Sequence, residues 1–161
     1  RYSLIPYLYS EFLKAALNDE MMFKPLAFDF PDDAMAEQVE DQLLLGNELM
    51  IAPIYKQNAQ GRYVYLPEEM MLVRMHSSKD YTTEILPKGH HYVSVGLDEL
   101  VFFIRNQKAI PFAESAENTA RTDYNTIQLW VMKAVPMNCM QIMALLQIRK
   151  IASPSKHYPD S

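Results

Sequence analysis

Three closely spaced aspartates are the first candidates for catalytic residues in this sequence. Asp29, Asp32 and Asp33 lie within five residues, directly after an apolar run. A pair of carboxylates can supply the nucleophile and the general acid/base that hydrolyse a glycosidic bond. The same residues also suit the turn that ends the run and the cap of a following helix. The spacing favours this structural interpretation.

The adjacent histidines His90 and His91 are the obvious candidates for a metal site. Neighbouring residues of a strand point to opposite faces of a sheet, so two such imidazoles do not easily share one ion. The pattern favours two histidines at a turn or strand end. Cys139 is the only cysteine, which excludes a disulfide framework, and no histidine or asparagine motif marks it as a nucleophile. The residues alone therefore predict no catalytic, cofactor-binding or metal-binding residue.

Aromatic side chains offer a further kind of site, because exposed rings can stack on sugars. Tyr2, Tyr7 and Tyr9 have the spacing of packing residues on one long helix. Five more tyrosines are scattered over the predicted strands and are candidates for an aromatic platform: Tyr55, Tyr63, Tyr65, Tyr81 and Tyr92. Such a platform is what a carbohydrate-binding module would need.

The elements that carry these residues begin with an α/β pattern. Apolar residues recur at helical spacing over 4–17, which predicts a helix, and the apolar run over 22–30 is typical of one buried strand. A second helix is predicted over 34–45, with a preceding aspartate as its cap and Gly46 as its end. Helix, strand and helix in this order are typical of a repeat within an α/β fold.

Beyond residue 48 the apolar residues alternate with period two. Short runs recur about every ten residues, with Gly, Pro, Asn or Asp between them, which predicts an antiparallel β-sandwich. The predicted strands cover residues 49–55, 62–67, 72–75, 81–85, 91–95 and 100–105.

The charge balance argues against two classes of partner. The chain has 15 basic and 20 acidic side chains, a formal charge of −5. Proteins that bind nucleic acid need a basic surface to displace counterions, so that role is not expected. No apolar stretch reaches the length that spans a membrane. The low cysteine content favours a cytoplasmic location, and nothing in the sequence predicts an oligomeric state.

Five blocks of sequence resemble motifs of glycoside hydrolase family 31, in the family's order. Residues 1–9, RYSLIPYLY, are similar to its R-Y-x-L-x-P-Y-x-Y helix. The other blocks are KPLAFDFPDD at 24–33, DQLLLGNELMIAPI at 41–54, YLP at 65–67 and FIRNQKAIP at 103–111. One departure is Lys24, since the family usually has arginine there, which would keep the charge but add a planar fork. The chain is identified as an α-glucosidase-like member.

The resemblance implies an α+β fragment of a larger enzyme. Residues 1–47 would be the last helix–strand–helix of a (β/α)8 catalytic barrel, 48–115 the proximal β-sandwich and 116–130 the start of a distal β-domain. Family members are retaining enzymes with two catalytic aspartates, one of them in a W-x-D-M-N-E motif that this sequence lacks. We therefore expect a structural segment without cofactor, whose full-length parent acts on an α-glucoside or oligosaccharide.

Residues 131–161 break the compositional pattern. They carry four basic and one acidic side chain, whereas residues 1–130 carry 11 basic and 19 acidic ones. Trp and a following Gly codon can form a run of four G, and loss of one G there would shift the reading frame after Trp130. In the restored frame, the codons of residues 131–144 can be read as a Gly-, Tyr- and Glu-rich strand that resembles the family's. We hypothesise a frameshifted tail without native structure. The rival interpretation is an amphipathic or membrane-contacting helix over 134–148, against which Pro136 argues.

Two classes of function follow from the sequence. The first is an inactive fragment of an α-glucosidase-like hydrolase, and the second is a free-standing β-sandwich module that binds carbohydrate. The motif blocks favour the first, whereas the second depends on whether the scattered tyrosines meet.

Overall fold

The computed structural model describes residues 2–113 and 127–132 of the chain. Every strand pair in this part of the chain is antiparallel. In chain order the elements are a 3-10 turn (Tyr2–Leu4), α1 (Ile5–Asn18), β1 (Phe23–Pro25), α2 (Leu26–Asp29), α3 (Ala34–Gln38), β2 (Leu43–Leu45), β3 (Leu49–Ile51), β4 (Gly61–Leu66), β5 (Met70–Met75), β6 (Tyr81–Leu86), β7 (Gly89–Ser94), β8 (Leu100–Arg105), β9 (Ala109–Ala113) and β10 (Ile127–Val131).

A six-stranded sheet in the order β1-β2-β3-β8-β5-β6 forms the middle of the molecule. The β9–β10 hairpin and the pair of β4 with β7, which are not consecutive in the chain, form two further two-stranded sheets. Six strands lie where the alternation predicts them, although the first, predicted over 49–55, covers only Leu49–Ile51. β8 has the predicted bounds, Leu100–Arg105. The helix predicted over residues 4–17 is confirmed as α1.

The period-two pattern of the central strands buries both faces of this sheet. On β8, Phe102 and Ile104 point into one apolar core, which α1 and the β9–β10 hairpin complete. Phe103 points to the other face, into a core that the β4–β7 pair, α2 and α3 close. Successive side chains of a strand alternate between faces, so one strand serves both cores. The result is a layered β-domain, as the alternation predicts.

The segment between α1 and β3 differs from the prediction. The strand expected over 22–30 covers only Phe23–Pro25 before helix α2 begins, and the helix expected over 34–45 ends at Gln38. Residues 43–45 are instead strand β2, hydrogen-bonded between β1 and β3. Leu44 and Leu45 are buried in opposite cores. A run of residues that are all apolar shows neither the helical period of 3.6 residues nor the strand period of two, so its sequence does not distinguish a helix from a strand.

The β9–β10 hairpin closes the sheet side that faces α1. Trp130 stacks on Phe112 with 4.3 Å between ring centroids. Met132, the last described residue, is buried, and its N–H donates to the carbonyl of Lys108 at 3.0 Å. Residues 114–126 and 133–161, which include Cys139, lie outside the described residues. The distal domain predicted from residue 116 and the frameshifted tail predicted from residue 131 stay predictions. At the boundary between them, however, residues 127–131 form β10, and Trp130 and Met132 pack in the core of the described domain.

Candidate functional site

Residues from two of the motif blocks meet in one cluster of ion pairs, which Glu68 completes. Arg105, at the end of β8, pairs with Asp29 of α2 and donates from Nε to Glu68 Oε1 at 2.8 Å. Its guanidinium lies over the ring of Phe30, 4.8 Å from the centroid. Lys24 approaches from the other side and donates to Asp29 Oδ1 at 2.7 Å. This arginine cluster ties α2 and β1, at the edge of the central sheet, to β8 in its interior.

The electrostatics of the arginine cluster suit a structural role for Asp29. Partial burial alone would raise the pKa of its carboxyl, but the hydrogen bonds from Lys24 and Arg105 outweigh burial and lower the pKa. A general acid in glycoside hydrolysis needs the opposite shift, a raised pKa that keeps its proton at neutral pH. Asp29 is therefore held as a carboxylate between two cations.

Asp33 lies in a second polar cluster. Its carboxylate caps α3 by accepting the N–H of Met35 at 3.1 Å, as the sequence predicts. It also accepts the hydroxyl of Tyr65 at 2.8 Å and pairs with Lys88 at 2.5 Å. The hydrogen bonds from Lys88 and then Tyr65 lower the pKa of Asp33 to about 2. The neighbouring Asp32 is exposed, so the three aspartates do not form one site.

Asp33→Asn is expected to flatten the acid dependence of stability. Because the pKa of Asp33 falls from 3.8 to about 2 on folding, the carboxylate stabilises the fold above about pH 4, and this stabilisation is lost as the pH falls towards 2. Asparagine keeps the helix cap and removes the charge. Denaturant unfolding at about pH 5 and about pH 2.5 measures the difference. The exposed Asp32→Asn variant changes the same net charge, and an equal flattening there would contradict the assignment.

A third contact joins α1 to the turn between β2 and β3. The hydroxyl of Tyr7 donates to the carbonyl of Leu45 at 2.5 Å, and Glu11, one helical turn further, is buried beside it. Burial raises the pKa of the Glu11 carboxyl, which Lys14 opposes by a hydrogen bond. A raised pKa often marks a general acid. Glu11, however, is only 3% exposed, so a substrate could not reach it.

The two histidines take different partners. The ring of His90 packs beside Tyr65, with 4.9 Å between centroids. His91 Nε2 lies 2.8 Å from the carbonyl oxygen of Pro87. Among the described residues, no group of three or more His, Cys, Asp or Glu side chains could hold a metal ion. Within the same residues, no helix is long and apolar enough to cross a membrane.

Three of the five scattered tyrosines meet at one groove of about 350 Å³. Tyr63 of β4 and Tyr92 of β7 are a cross-strand pair, with their rings edge to face and 5.2 Å between centroids. Tyr55, from the loop after β3, lines the same groove. The ion pair of Arg62 with Asp41 lies between them. We call these five residues the tyrosine groove.

The other two tyrosines lie elsewhere. Tyr65 is buried and bonded to Asp33, whereas Tyr81 packs on Trp130 with 4.4 Å between ring centroids. Sequence reasoning found the tyrosines but could not select among them, because their proximity depends on the pairing of β4 with β7. It missed Arg62 and Asp41, which lie 21 positions apart: Arg62 directly precedes Tyr63, but no aromatic residue neighbours Asp41 in the sequence.

The described residues define an antiparallel β-domain with a helical N-terminal segment and an aromatic groove. Residues 19–110 match the model of the glycosyl hydrolase family 31 C-terminal domain. The chain belongs to glycosyl hydrolase family 31.

Individual relatives agree with this assignment. Alpha-glucosidase 2 of Bacillus thermoamyloliquefaciens is 30% identical over 133 residues, which are 81% of this chain and 16% of that protein. Neutral alpha-glucosidase AB of Mus musculus is 32% identical over 69% of this chain and 11% of that protein. The family 31 dextranase of Flavobacterium johnsoniae, solved with isomaltotriose, is 26% identical with a TM-score of 0.58, over 71% of this chain and 14% of that one. The chain thus spans about a sixth or less of these relatives.

Proposed function

We propose that this chain is the C-terminal part of a retaining α-glucosidase-like hydrolase, in which it buttresses the catalytic barrel and supplies no catalytic carboxylate. The family match over residues 19–110 carries the proposal. The absence of a W-x-D-M-N-E motif from the sequence supports it. So do Asp29 and Asp33, since their lowered pKa values do not suit a general acid. Both carboxylates are also held in ion pairs, which an attack as the nucleophile would have to break.

The exposed apolar side of α1 supports the proposal that another part of the parent protein covers it. The helix buries Tyr7 and Glu11 against the β-domain, yet its other side is apolar as well. Six large apolar side chains of this region are 43–76% exposed: Tyr9, Phe12, Leu17, Met21, Phe23 and Phe28. A helix that is apolar on both sides is typical of the interior of a larger protein. We propose that, of residues 1–47, α1 completes the (β/α)8 barrel, with this side against its upstream elements. β1 and β2 belong to the antiparallel sheet of the β-domain instead.

The motif blocks fit a scaffolding role. Arg105, Lys24 and Asp29 come from two blocks and form one cluster, while Tyr65 and Asp33 join two blocks through a hydrogen bond. Gln42 adds a link to β4, because its side chain accepts the N–H of Tyr65 at 2.7 Å and donates to the carbonyl of the same residue at 2.8 Å. These contacts hold elements in place and leave the chemistry to the rest of the parent.

The chain by itself is expected not to hydrolyse p-nitrophenyl α-glucoside or isomaltotriose above the buffer rate, because both catalytic aspartates would lie elsewhere in the parent. Progress curves with concentrated protein measure this, with an active family 31 α-glucosidase as the positive control. Turnover by the purified chain that Asp29→Asn or Asp33→Asn abolishes would contradict the proposal.

A free-standing carbohydrate-binding module is the second candidate. The meeting of Tyr55, Tyr63 and Tyr92 favours sugar binding. A groove formed by these tyrosines would fit equally well on a C-terminal part of a hydrolase, so the observation does not distinguish a free-standing module from such a part.

A further inference from the structure

We propose that the tyrosine groove is a binding site for α-linked gluco-oligosaccharides. This assigns a ligand to a surface that scaffolding leaves unexplained, and it rests on the proposed function only for the α-gluco configuration of the sugar.

The aromatic side chains supply the apolar half of such a site. Tyr63, Tyr55 and Tyr92 are 72%, 68% and 59% exposed. Folding therefore gains little from these three large rings. Each presents an electron-rich face, and the C–H groups on one side of a pyranose ring are attracted to such a face. The edge-to-face contact of Tyr63 with Tyr92 fixes two of the rings relative to each other.

Arg62 and Asp41 supply the polar half. Arg62 Nη1 donates to the carbonyls of Pro53 at 2.8 Å and Asp41 at 3.1 Å, and another of its nitrogens pairs with the Asp41 carboxylate. The Tyr55 hydroxyl lies 3.5 Å from the same carboxylate. The side chains are thus held in place before any ligand arrives. Arg62 Nε also donates to the Tyr63 carbonyl, so most of the guanidinium donors serve to position Asp41 and the loop. The Asp41 side chain is 42% exposed, and its carboxylate can accept hydrogen bonds from vicinal hydroxyls of a sugar.

The charges of the groove favour a neutral ligand. Arg62 and Asp41 compensate each other, and Lys56 is exposed at the rim. A metal ion would need an excess of carboxylates, and a single exposed lysine is a weak basis for a phosphate site. A polyhydroxylated ligand needs donors and acceptors together. Few polar groups around aromatic walls are the usual composition of a small-molecule site.

The groove also has room for more than one sugar ring. A second hollow of about 460 Å³ adjoins it and shares Asp41, Tyr55, Arg62 and Tyr63 with it. His90 and Gln38 add polar side chains there. The groove lies on the β4–β7 pair, which covers one face of the central sheet, whereas α1 packs on the other face of that sheet. The apolar side of α1 and the tyrosine groove are therefore separate surfaces.

The test is a titration of the whole chain with isomaltotriose and, separately, maltotriose, followed by amide chemical shifts. We expect saturable, millimolar binding with shifts confined to residues around Tyr55, Tyr63 and Tyr92. Tyr63→Ala is expected to weaken binding about tenfold. Tyr63→Phe keeps the ring face and should stay within about twofold of the original affinity. Tyr9→Ala removes an exposed tyrosine of α1 and should leave the affinity unchanged.

Three results would overturn the proposal. The first is no shift at millimolar oligosaccharide, and the second is binding that Tyr63→Ala leaves intact. The third is a shift of the same residues on dilution without sugar, which would show that the groove joins copies of the chain. Denaturation midpoints of each variant confirm folding. Because binding is read without turnover, failure here leaves the hydrolysis test of the proposed function unaffected.

Discussion

Arg105→Met is expected to lower the free energy of unfolding by about 3 kcal/mol. The side chain is buried and holds Asp29 and Glu68 at once, so its loss leaves two partly buried carboxylates with less compensation. Methionine retains an apolar chain of similar length, which limits any cavity. Denaturant unfolding of both proteins measures the difference through the midpoint at constant slope.

A matched arginine on a neighbouring strand provides the control. Arg74 of β5 pairs with Glu99 at 3.3 Å nearer the surface. Arg74→Met is expected to cost at most about 1 kcal/mol, because the Arg74 side chain is 25% exposed, against 10% for Arg105, and pairs with one carboxylate instead of two. Adding Glu68→Gln to Arg105→Met should recover part of the loss, since it removes an unpaired charge. Equal losses for the two arginines would contradict a special role for the arginine cluster.

Gly46→Ala is expected to destabilise the chain by about 3 kcal/mol or more, by strain and overlap together. Gly46 has a φ of +65° in the turn between β2 and β3, a conformation that favours glycine. An added Cβ would lie 2.5 Å from the Tyr7 hydroxyl and overlap the Glu11 carboxyl. The variant would thus push α1 away from the turn. Thermal or denaturant unfolding measures the loss.

Gly89 separates the two causes. Its φ is +135°, and an added Cβ would meet no atom within 4 Å. Gly89→Ala therefore carries backbone strain without overlap, and it should cost clearly less than Gly46→Ala. A comparable loss in both variants would show that packing of α1 on the turn contributes little.

Sequence patterns were sufficient where one period dominated. The helical spacing over 4–17 predicted α1, and the alternation from 62 to 105 predicted β4 to β8. The Asp33 cap followed from a local rule, since a short polar side chain before a helix satisfies its first N–H groups. These features depend on neighbours within a few residues, so one sequence contains the necessary information.

Residues 43–45 mark the limit of such patterns. Their three leucines suit a helix or a strand equally, and the decision came from β1 and β3, which offer hydrogen-bonding partners on both edges. Gly46, interpreted from sequence as a helix end, serves instead in the turn of a hairpin. Both interpretations use the same property of glycine, its access to positive φ.

The sequence by itself determined the family, the alternating strands and the residue types available for binding. Only the tertiary structure decided which of them meet. Arg105 reaches Asp29 across 76 positions, and pairing of β4 with β7 brings Tyr63 to Tyr92 while Tyr65 is buried. The physical reason is that burial and ion pairing depend on contacts between distant segments, and the register of the strands, which no local pattern encodes, sets those contacts.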